Sequence, residues 1–524
     1  MRIAGLRHTA AAVAVVVLAA VSAACDAAGS SNGGGSARSV DPTGVLRVGL
    51  PLPVAGVRFD VAKSRFPIEV QYMAPIFGTL MRQSDDGTIS PWMAQNAQVV
   101  DAHTVRILLR PGMKFTDGSA YDAEAVRVSM LRSSRAEDPV IKANMDPGLG
   151  AVEDVQVVDP VTVVVTLSQP IAGQFFTELA QRAGVIVSPK QIAQNPEQIN
   201  TNPVGAGPFT LVESTTQHIS LRKNPGFWDA ADMQLGGVDI KNTPLGPQQE
   251  NGLLAGTLDW AAYVSVNSAK SIGDRGGFKT VVSGQASSEI GMCADKPPFD
   301  NEAVRQAIQF GVDRQRFSDL VYQGLAQPVH GFYVGTDTQI SKTLDDAVRY
   351  DPQRARQILA AAGATNLTFD LHYSATQDFG PAAEALQSQL AGIGIKVNIV
   401  PNRDVYAEFI NAKQPGAMLW APLGLVGYTK FTKRMIPGNV ATLCGADRSD
   451  VMRLVDQAVA YAPDDPRAID LYRRAQDLIA ERAYVIPIAT WPVVAGWNES
   501  RVDGTPTFDA LGYLHLDSVH IVKK

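Results

Sequence analysis

The sequence predicts a mixed α/β protein with more than one domain, and three observations support this prediction. Segments with the period-two alternation or the β-branched runs of strands lie between segments with helix caps and an apolar stripe. Residues 367–399 have the order strand, helix, strand, which is one βαβ unit. Beyond its N-terminal segment, the 524-residue chain has roughly 480 residues, enough for two or three domains of about 100–200 residues each.

Residues 1–24 have the pattern of a secretory signal peptide. Two arginines precede a run of small and apolar residues at 10–24, which is too short to span a bilayer core of ~30 Å. The following Cys25 completes a sequence similar to a bacterial lipobox, although Ser22 stands where an aliphatic residue is usual. We expect a lipid on Cys25 and a flexible tether over 25–40. The alternative is a signal peptide without a lipid, followed by an incidental cysteine.

Composition limits the functions open to the rest of the chain. A hydrophobic fraction of 45% with 19% charged residues is typical of a globular protein, and a net charge of −6 argues against nucleic acid as a partner. No later segment reaches 18 consecutive apolar residues, so no further membrane span is predicted. Arginine outnumbers lysine and alanine is abundant, as in proteins from GC-rich actinobacterial genomes.

Two cysteines remain after Cys25. Cys293 and Cys444 form an even pair in a chain that we expect to be exported, which favours a disulfide between them. The alternative is a pair of buried thiols. Neither cysteine lies in a CxxC motif or beside a histidine, so no metal site is expected.

The first half of the chain has three well-marked strands and one well-marked helix. Residues 45–50 and 161–167 are β-branched or apolar runs, and 103–110 alternates apolar and polar residues. Asp122 is a good N-cap and predicts a helix over 123–131.

The second half alternates helices and strands. Aspartate, proline and glycine mark helix ends, and apolar residues three and four apart mark the buried faces. We interpret these stripes as core rather than as a cofactor site. The predicted helices are the segment between Asp351 and Gly363, together with 382–390, 451–458 and 471–479, and the predicted strands are 367–373 and 395–399.

Motifs of catalysis and cofactor binding are lacking in the sequence. There is no GxSxG, HExxH or Walker A pattern, and residues 205–210 (GAGPFT) lack the third glycine of a dinucleotide fingerprint. The histidines are scattered, and His515 and His520 are interpreted as structural. We therefore expect a protein that is not an enzyme and needs no cofactor.

Residues 109–126, LRPGMKFTDGSAYDAEAV, resemble the signature of the family 5 extracytoplasmic solute-binding proteins. These are the oligopeptide, dipeptide and nickel binders of ABC importers. Further segments are similar to other motifs of that family, in the same order, over roughly 400 residues. They are PVGAGPF (203–209), RKNPGFW (222–228), LLAGTLD (253–259), KPPFDNEAVRQAIQFGVDR (296–314), YDPQRARQILAAAG (350–363) and AYVIPIATW (483–491).

The resemblance implies a two-lobed, periplasmic-binding-protein-like fold with mixed sheets and an extra subdomain on the first lobe. The lobes would close over a ligand by a hinge motion and pass it to the permease subunits in the membrane. It also implies a monomer. The boundaries expected are 41–80, 201–285 and 488–524 for lobe I, 81–200 for the extra subdomain, and 286–487 for lobe II.

The resemblance also suggests where a ligand binds. Trp420 and Trp491 are the first candidates, as flat apolar walls of the cleft. Gly424 and Tyr428 belong to the same loop as Trp420 and are further candidates. The alternative is that each tryptophan is ordinary core packing.

One departure from the family pattern bears on the ligand. Peptide binders of this family usually have an acidic residue shortly after the tryptophan that matches Trp420, and it pairs with the peptide ammonium. Here no carboxylate lies between Glu408 and Asp447. Because a buried ammonium without a counter-charge is costly, an apolar or peptide-like ligand is expected. Glu289 or Asp60 could replace the missing acid.

Three functions follow from these observations. The first is a lipid-anchored binding protein of an ABC importer, on the outer face of the cell membrane. The second is a relative with the same fold that serves as a cell-envelope regulator or scaffold. The third is a secreted hydrolase, because catalytic residues can assemble from distant parts of a chain.

Overall fold

The computed structural model describes residues 39–51, 56–64, 69–84, 87–143, 145–244, 246–331, 340–375, 379–410, 412, 414–421, 447–509 and 513–523. Within it, Ser39–Lys524 forms one compact unit. The predicted signal peptide and Cys25 lie outside the described residues, as do Gly424, Tyr428 and Cys444.

Strands and helices alternate along the described chain, as the sequence predicts. The strands are β1 Val45–Leu50, β2 Met81–Gln83, β3 Ile89–Pro91, β4 Ala94–Asp101, β5 Thr104–Leu109, β6 Val152–Asp159, β7 Thr162–Leu167, β8 Phe209–Ser214, β9 His218–Lys223, β10 Gly237–Asn242, β11 Trp260–Val264, β12 Phe278–Met292, β13 Thr368–Ser374, β14 Lys396–Asn402, β15 Ala417–Trp420, β16 Val485–Asn498, β17 Val502–Gly504, β18 Thr507–Phe508, β19 Leu514–His515 and β20 Val519–Ile521. The α-helices are Val70–Phe77, Ala123–Ser134, Pro139–Ala143, Pro147–Gly150, Ala172–Glu178, Pro189–Gln194, Pro247–Leu254, Val266–Gly273, Glu302–Gly311, Arg314–Tyr322, Lys342–Ala347, Pro352–Ala361, Gly380–Ala391, Ser449–Ala458 and Pro466–Arg482.

A ten-stranded mixed sheet runs through the molecule in the order β14-β13-β15-β12-β16-β11-β1-β10-β9-β8. Its centre is the antiparallel pair β12 and β16, which are 15 and 14 residues long. Strands of the first half of the chain lie on one side of this pair, and strands of the second half lie on the other. The register of the pair shifts between Ser283 and Ala286 and again between Ser288 and Glu289. Such bulges bend a strand pair, so β12 and β16 are the bent connection between the two halves.

The first predicted strand of the chain lies in the interior of the ten-stranded sheet. Residues 45–50 form β1, which pairs in parallel with β10 and β11. Leu46, Val48 and Leu50 are fully buried, so this strand follows the apolar alternation of its sequence.

A separate four-stranded antiparallel sheet has the order β4-β5-β7-β6. The predicted strand at 103–110 is β5, shorter by one residue at each end, and the predicted strand at 161–167 is β7. The predicted helix begins after Asp122, whose carboxylate accepts a hydrogen bond of 3.0 Å from the Ala125 amide. This helix extends three residues beyond the predicted end, to Ser134.

Two of the segments that resemble family motifs contact each other. In the segment 109–126, the Thr116 amide donates to the Gly205 carbonyl at 3.0 Å. The Gly207 amide donates to the Ile76 carbonyl at 2.8 Å, and a Cβ on Gly205 would lie only 2.1 Å from that carbonyl oxygen. The glycines of 205–210 therefore allow a close backbone approach, and both segments are scaffold.

The second half contains the predicted βαβ unit. Strands β13 and β14 are parallel and are joined by the helix Gly380–Ala391, in agreement with the prediction of a helix over 382–390. Asp351 caps the helix Pro352–Ala361 by accepting from the Arg354 amide at 2.8 Å. These elements pack around one buried hydrophobic core of the second half.

The two predicted amphipathic helices near the end of the chain are Ser449–Ala458 and Pro466–Arg482. Val451 and Val455 on the first, with Ala475 and Ile479 on the second, are buried, which confirms their interpretation as core.

The two ends of the described chain lie side by side. The Asp41 amide donates to the Ile521 carbonyl at 2.6 Å, and the Lys523 amide donates to the Ser39 carbonyl at 2.9 Å. Val40 forms a β-bridge with Val522.

Two further sequence interpretations concern the histidines and membrane spans. His515 lies on β19 and contacts the Gln83 carbonyl through Nε2 at 3.1 Å, and His520 lies on β20; their interpretation as structural stays a prediction. Among the helices in the described ranges, none has the length and apolar character needed to cross a membrane.

Candidate functional site

Trp420 lies at the end of β15, directly opposite Glu289 of β12. It is half-buried and packs against a small cluster formed by Phe409 and Met418. Trp420 therefore lies at the end of a strand between β13 and β12, and the residue is partly exposed.

Trp491 lies on β16, opposite Ala286 of β12. It is also half-buried, and its ring centroid lies 6.0 Å from that of Phe379, at the start of the helix Gly380–Ala391. The partners of the two tryptophans on β12 are three residues apart, which is about 10 Å along a strand. The structure thus brings Trp420 and Trp491 to the same stretch of the bent strand pair, one on each neighbour of β12.

A buried polar run separates the two tryptophans, and the sequence analysis did not select it as a unit. Ser287, Ser288 and Glu289 are fully buried on β12. The Ser288 and Tyr322 hydroxyls lie 2.5 Å apart, and the Ser287 hydroxyl donates to Glu289 at 3.4 Å. The sequence signal for this run was three consecutive polar residues directly before Ile290, in a strand that enters the core.

The two acids considered as replacements for the missing carboxylate have different surroundings. Glu289 faces Trp420 on one side and Pro487 on the other. Asp60 is fully buried and accepts 2.7 Å hydrogen bonds from both terminal nitrogens of Arg132. Asp60 is therefore already neutralised by an arginine, whereas Glu289 is placed beside the candidate ligand wall.

A buried ionic cluster was also missed by the sequence analysis. Arg182 donates to both carboxylate oxygens of Asp146, at 2.8 and 2.7 Å, and both side chains are buried. Glu178 is fully buried nearby and accepts from the Gly148 and Leu149 amides at 3.0 and 2.7 Å. Burial, followed by the neighbouring Asp146 carboxylate, raises the pKa of Glu178 to about 8, although these hydrogen bonds oppose the rise.

The cluster joins two parts of the fold. A terminal nitrogen of Arg182 also reaches the Ser64 carbonyl at 3.4 Å, so the segment 56–64 is connected to the region of the four-stranded sheet. No local sequence pattern marks Asp146 and Arg182 as partners, because they are 36 residues apart in unrelated contexts.

A backbone contact joins the helix Ala172–Glu178 to the end of the helix Ser449–Ala458. The Gly173 amide donates to the Val459 carbonyl at 2.8 Å. A Cβ at position 173 would lie 1.6 Å from the Tyr461 carbonyl oxygen. Glycine is therefore required for the two backbones to approach this closely.

The remaining predicted site residues are not brought together within the described chain. Cys293 is fully buried after the end of β12, but Cys444 lies outside the described residues, so their disulfide stays a prediction. The roles of Gly424 and Tyr428 stay predictions for the same reason. Within the described ranges, no group of three or more His, Cys, Asp or Glu side chains could hold a metal ion.

Comparison with known proteins supports a binding role for this fold. The chain is 28% identical over 334 residues to the glutathione-binding protein GsiB of Pectobacterium atrosepticum, a match that covers 61% of this chain and 63% of that protein. It is 27% identical over 420 residues to GsiB of Salmonella paratyphi A, covering 76% of this chain and 80% of the relative.

Solved structures of two-lobed periplasmic binding proteins have the same fold. One is the ABC transporter-associated periplasmic binding protein DppA of Helicobacter pylori, in complex with the peptide STSA. It superposes with a TM-score of 0.70 at 20% identity, covering 92% of this chain and 98% of the DppA chain. Residues 88–425 match the model of the bacterial extracellular solute-binding proteins, family 5 Middle. The chain therefore belongs to the family 5 bacterial extracellular solute-binding proteins.

Proposed function

We propose that this protein is the substrate-binding protein of an ABC importer, which captures peptides or peptide-like, apolar solutes between two lobes and delivers them to a membrane permease. The observation that carries the proposal is the position of Trp420 and Trp491 on the two neighbours of β12, at the bent connection between the halves of the molecule. Two half-buried aromatic rings at such a place form flat walls for an apolar or peptide ligand.

The named relatives support a peptide-like ligand. GsiB is a glutathione-binding protein, and the DppA structure contains a tetrapeptide. The buried polar run beside the tryptophans adds hydrogen-bonding groups to the apolar walls, which is the usual composition of a small-molecule site.

The missing acid after Trp420 leads to a proposal about ligand choice. Simple free di- and tripeptides bind more weakly than longer or more apolar ligands, because a buried ammonium without its partner costs about 3–5 kcal/mol. That cost is about two to three and a half decades in affinity at about 1.4 kcal/mol per decade. Stacking on Trp420 and Trp491 offsets part of it, at about 25 cal/mol per Å² of apolar surface removed from water.

Delivery to a permease is favoured by the proposed lipid on Cys25 and the glycine- and serine-rich tether. A tether of this kind holds the protein at the outer face of the membrane and raises its effective concentration near the permease. The test is Cys25→Ala, which should release the protein into the medium or block its maturation. A variant that stays membrane-bound and is processed like the wild type contradicts the anchor.

We further propose a disulfide between Cys293, which is fully buried, and Cys444, because these are the two cysteines left after Cys25 in a chain that we expect to be exported. The bridge would close a loop of roughly 150 residues, worth about 4–5 kcal/mol in the chain-entropy model. Thiol titration of the unfolded, unreduced protein should find neither thiol free.

The experiment that tests the central proposal has two parts. Mass spectrometry of protein purified under native conditions identifies the ligand that leaves on unfolding. Calorimetry with free and N-acetylated peptides then compares wild type, Trp420→Ala and Trp491→Ala, with the exposed Tyr350→Ala as the matched control.

The expected result is a bound peptide-like ligand whose affinity falls in both tryptophan variants and is unchanged in Tyr350→Ala. Tight binding of free peptides that acetylation abolishes would show that an acid, for example Glu289, pairs with the ammonium. No ligand and no binding across the panel would instead favour the envelope regulator or scaffold.

A further inference from the structure

The turn that follows the helix Arg314–Tyr322 has an unusual backbone. Gln323 ends the helix with φ of 52° and ψ of 32°, and Gly324 follows with φ of 76°. Glycine takes such a left-handed conformation freely, whereas a glutamine there is strained. A strained residue persists where its surroundings hold it, so the side chain of Gln323 is the place to look for a function.

This turn is tied to both strands of the bent pair. On one side, the Tyr322 hydroxyl lies 2.5 Å from the hydroxyl of Ser288, directly before the second register shift of β12. On the other side, the Gln327 carbonyl accepts from the Thr490 amide of β16 at 2.8 Å, and the Gln327 amide donates to the Thr490 hydroxyl at 2.8 Å. Residues 322–327, which we call the strap, are therefore fixed to β12 and β16 where these strands bend.

The strap also contacts the first half of the chain. The side-chain amide of Gln323 donates to the side-chain carbonyl of Asn267 at 2.6 Å. Asn267 lies on the helix Val266–Gly273, which follows β11 and packs on β12 and β16. Both side chains of this hydrogen bond are exposed, so water can replace it when the two halves move apart.

Apolar side chains beside this hydrogen bond are exchanged between the halves. Val266 of the first half packs against the core of the second half, which includes Ile290 and Ile488. Leu325 of the second half packs against a small core of the first half, which includes Ile272. Because each half places a side chain on the core of the other, a change in the angle between the halves disturbs both contacts.

We propose that the strap is a conformational restraint, which holds the bent strand pair at the angle of this structure, and that the Gln323–Asn267 hydrogen bond must break before that angle changes. The strap is fastened to β12 and β16 at the bend and to a helix of the other half, so it spans the bend. Glycine at position 323 would adopt the same backbone without strain but could not reach Asn267. The restraint needs no solute, so it does not rest on the proposed function.

The test is a distance measurement by pulsed electron paramagnetic resonance on ligand-free protein, with spin labels at Val212→Cys and Lys396→Cys. These exposed positions lie on β8 and β14, the two edge strands of the ten-stranded sheet. Along a flat sheet the edges are about 43 Å apart, at ~4.8 Å per strand, and bending changes that distance. The protein without the two introduced cysteines is the labelling blank.

Gln323→Gly and Asn267→Ala each remove the hydrogen bond. Each should lower the ratio of the present bend to other bends about two- to tenfold, which appears as a broader distance distribution. The double variant should match either single variant, because both changes remove the same contact. Asn366→Gly is the matched control, since Asn366 is also exposed and has φ of 61°, and its distribution should equal that of the labelled parent.

Three results in the distance distributions would overturn the proposal. They are unchanged distributions in both single variants, additive broadening in the double variant, and equal broadening in Asn366→Gly. Melting temperatures distinguish a change of bend from local unfolding. Gln323→Gly should melt within about 2 °C of the labelled parent, because relief of strain offsets the lost hydrogen bond.

A larger fall in melting temperature would assign the broadening to unfolding at the end of the helix Arg314–Tyr322 and would also overturn the proposal. Peptide binding has no part in these measurements. Failure of the strap and failure of the proposed function are therefore separate outcomes.

Discussion

Replacing Gly173 by alanine should loosen the contact between the helix Ala172–Glu178 and the end of the helix Ser449–Ala458. The new Cβ would lie 1.6 Å from the Tyr461 carbonyl oxygen, whereas ordinary contact begins near 3.4 Å, so the backbones must part by about 1.8 Å. A displacement of that size breaks the 2.8 Å hydrogen bond from the Gly173 amide to the Val459 carbonyl.

The cost of this change follows from two effects. Forcing an extra methyl group into a filled space costs about 1–3 kcal/mol, and the lost hydrogen bond contributes about 0.5–1.5 kcal/mol. The better helix propensity of alanine returns at most about 1 kcal/mol. We therefore expect a net loss of about 1–3 kcal/mol.

The contact joins residues of the expected extra subdomain to residues of the expected second lobe. If the expected boundaries hold, the variant opens the molecule before it unfolds, and 1–3 kcal/mol changes the ratio of closed to open forms by about 5- to 150-fold. Small-angle X-ray scattering should then show a larger radius of gyration, and the first thermal transition should move to lower temperature.

Gly276→Ala is the matched control, because nothing lies within 4 Å of its new Cβ. It should stay within about 0.5 kcal/mol of the wild type. The reasoning is refuted if Gly173→Ala has the radius of gyration and the melting temperature of Gly276→Ala.

Three further predictions concern the stability of the region expected to form the extra subdomain, each measured by urea unfolding. Arg182→Ala leaves the buried Asp146 carboxylate without its partner and should lower the free energy of unfolding by about 3–5 kcal/mol. The double variant Arg182→Met/Asp146→Leu should recover most of that loss. Equal losses in the two variants would contradict the ion-pair argument. The pKa of Glu178 is raised from 4.5 to about 8 in the folded state. As pH rises, the unfolded state therefore loses the Glu178 proton at a lower pH than the folded state does. The free energy of unfolding of the wild type should therefore fall, relative to Glu178→Gln, as pH rises from about 5 to about 8, and parallel pH profiles would exclude this assignment. Asp122→Ala removes the side-chain cap on the Ala125 amide and should cost about 0.5–2 kcal/mol, and an unchanged midpoint would show that water replaces the cap.

The parts of the fold that the sequence predicted are those whose signal is local. Asp122 and Asp351 cap helices because an aspartate stands directly before an apolar-periodic segment. The βαβ unit was predictable because its three elements follow one another within about 35 residues, and because parallel strands require such a crossover.

The parts that could not be predicted depend on contacts between distant segments. Trp420 meets Glu289 only because β15 adds to β12, roughly 130 residues earlier in the chain. The pairing of Arg182 with Asp146, and the contact of Gly173 with Val459, likewise require the three-dimensional arrangement. A single sequence contains no periodicity that reports such neighbours, and only the family resemblance could point to Trp420 and Trp491.

The pairing of residues 39–41 with 521–523 determines where mechanical load enters the molecule. A pulling force applied through residue 38 reaches the fold at Ser39 and Asp41, whose backbone hydrogen bonds go to the C-terminal segment. The hydrogen bonds of this short pairing share the tension. Under the proposed anchor at Cys25, tension on the N-terminus therefore acts first on the paired ends of the chain.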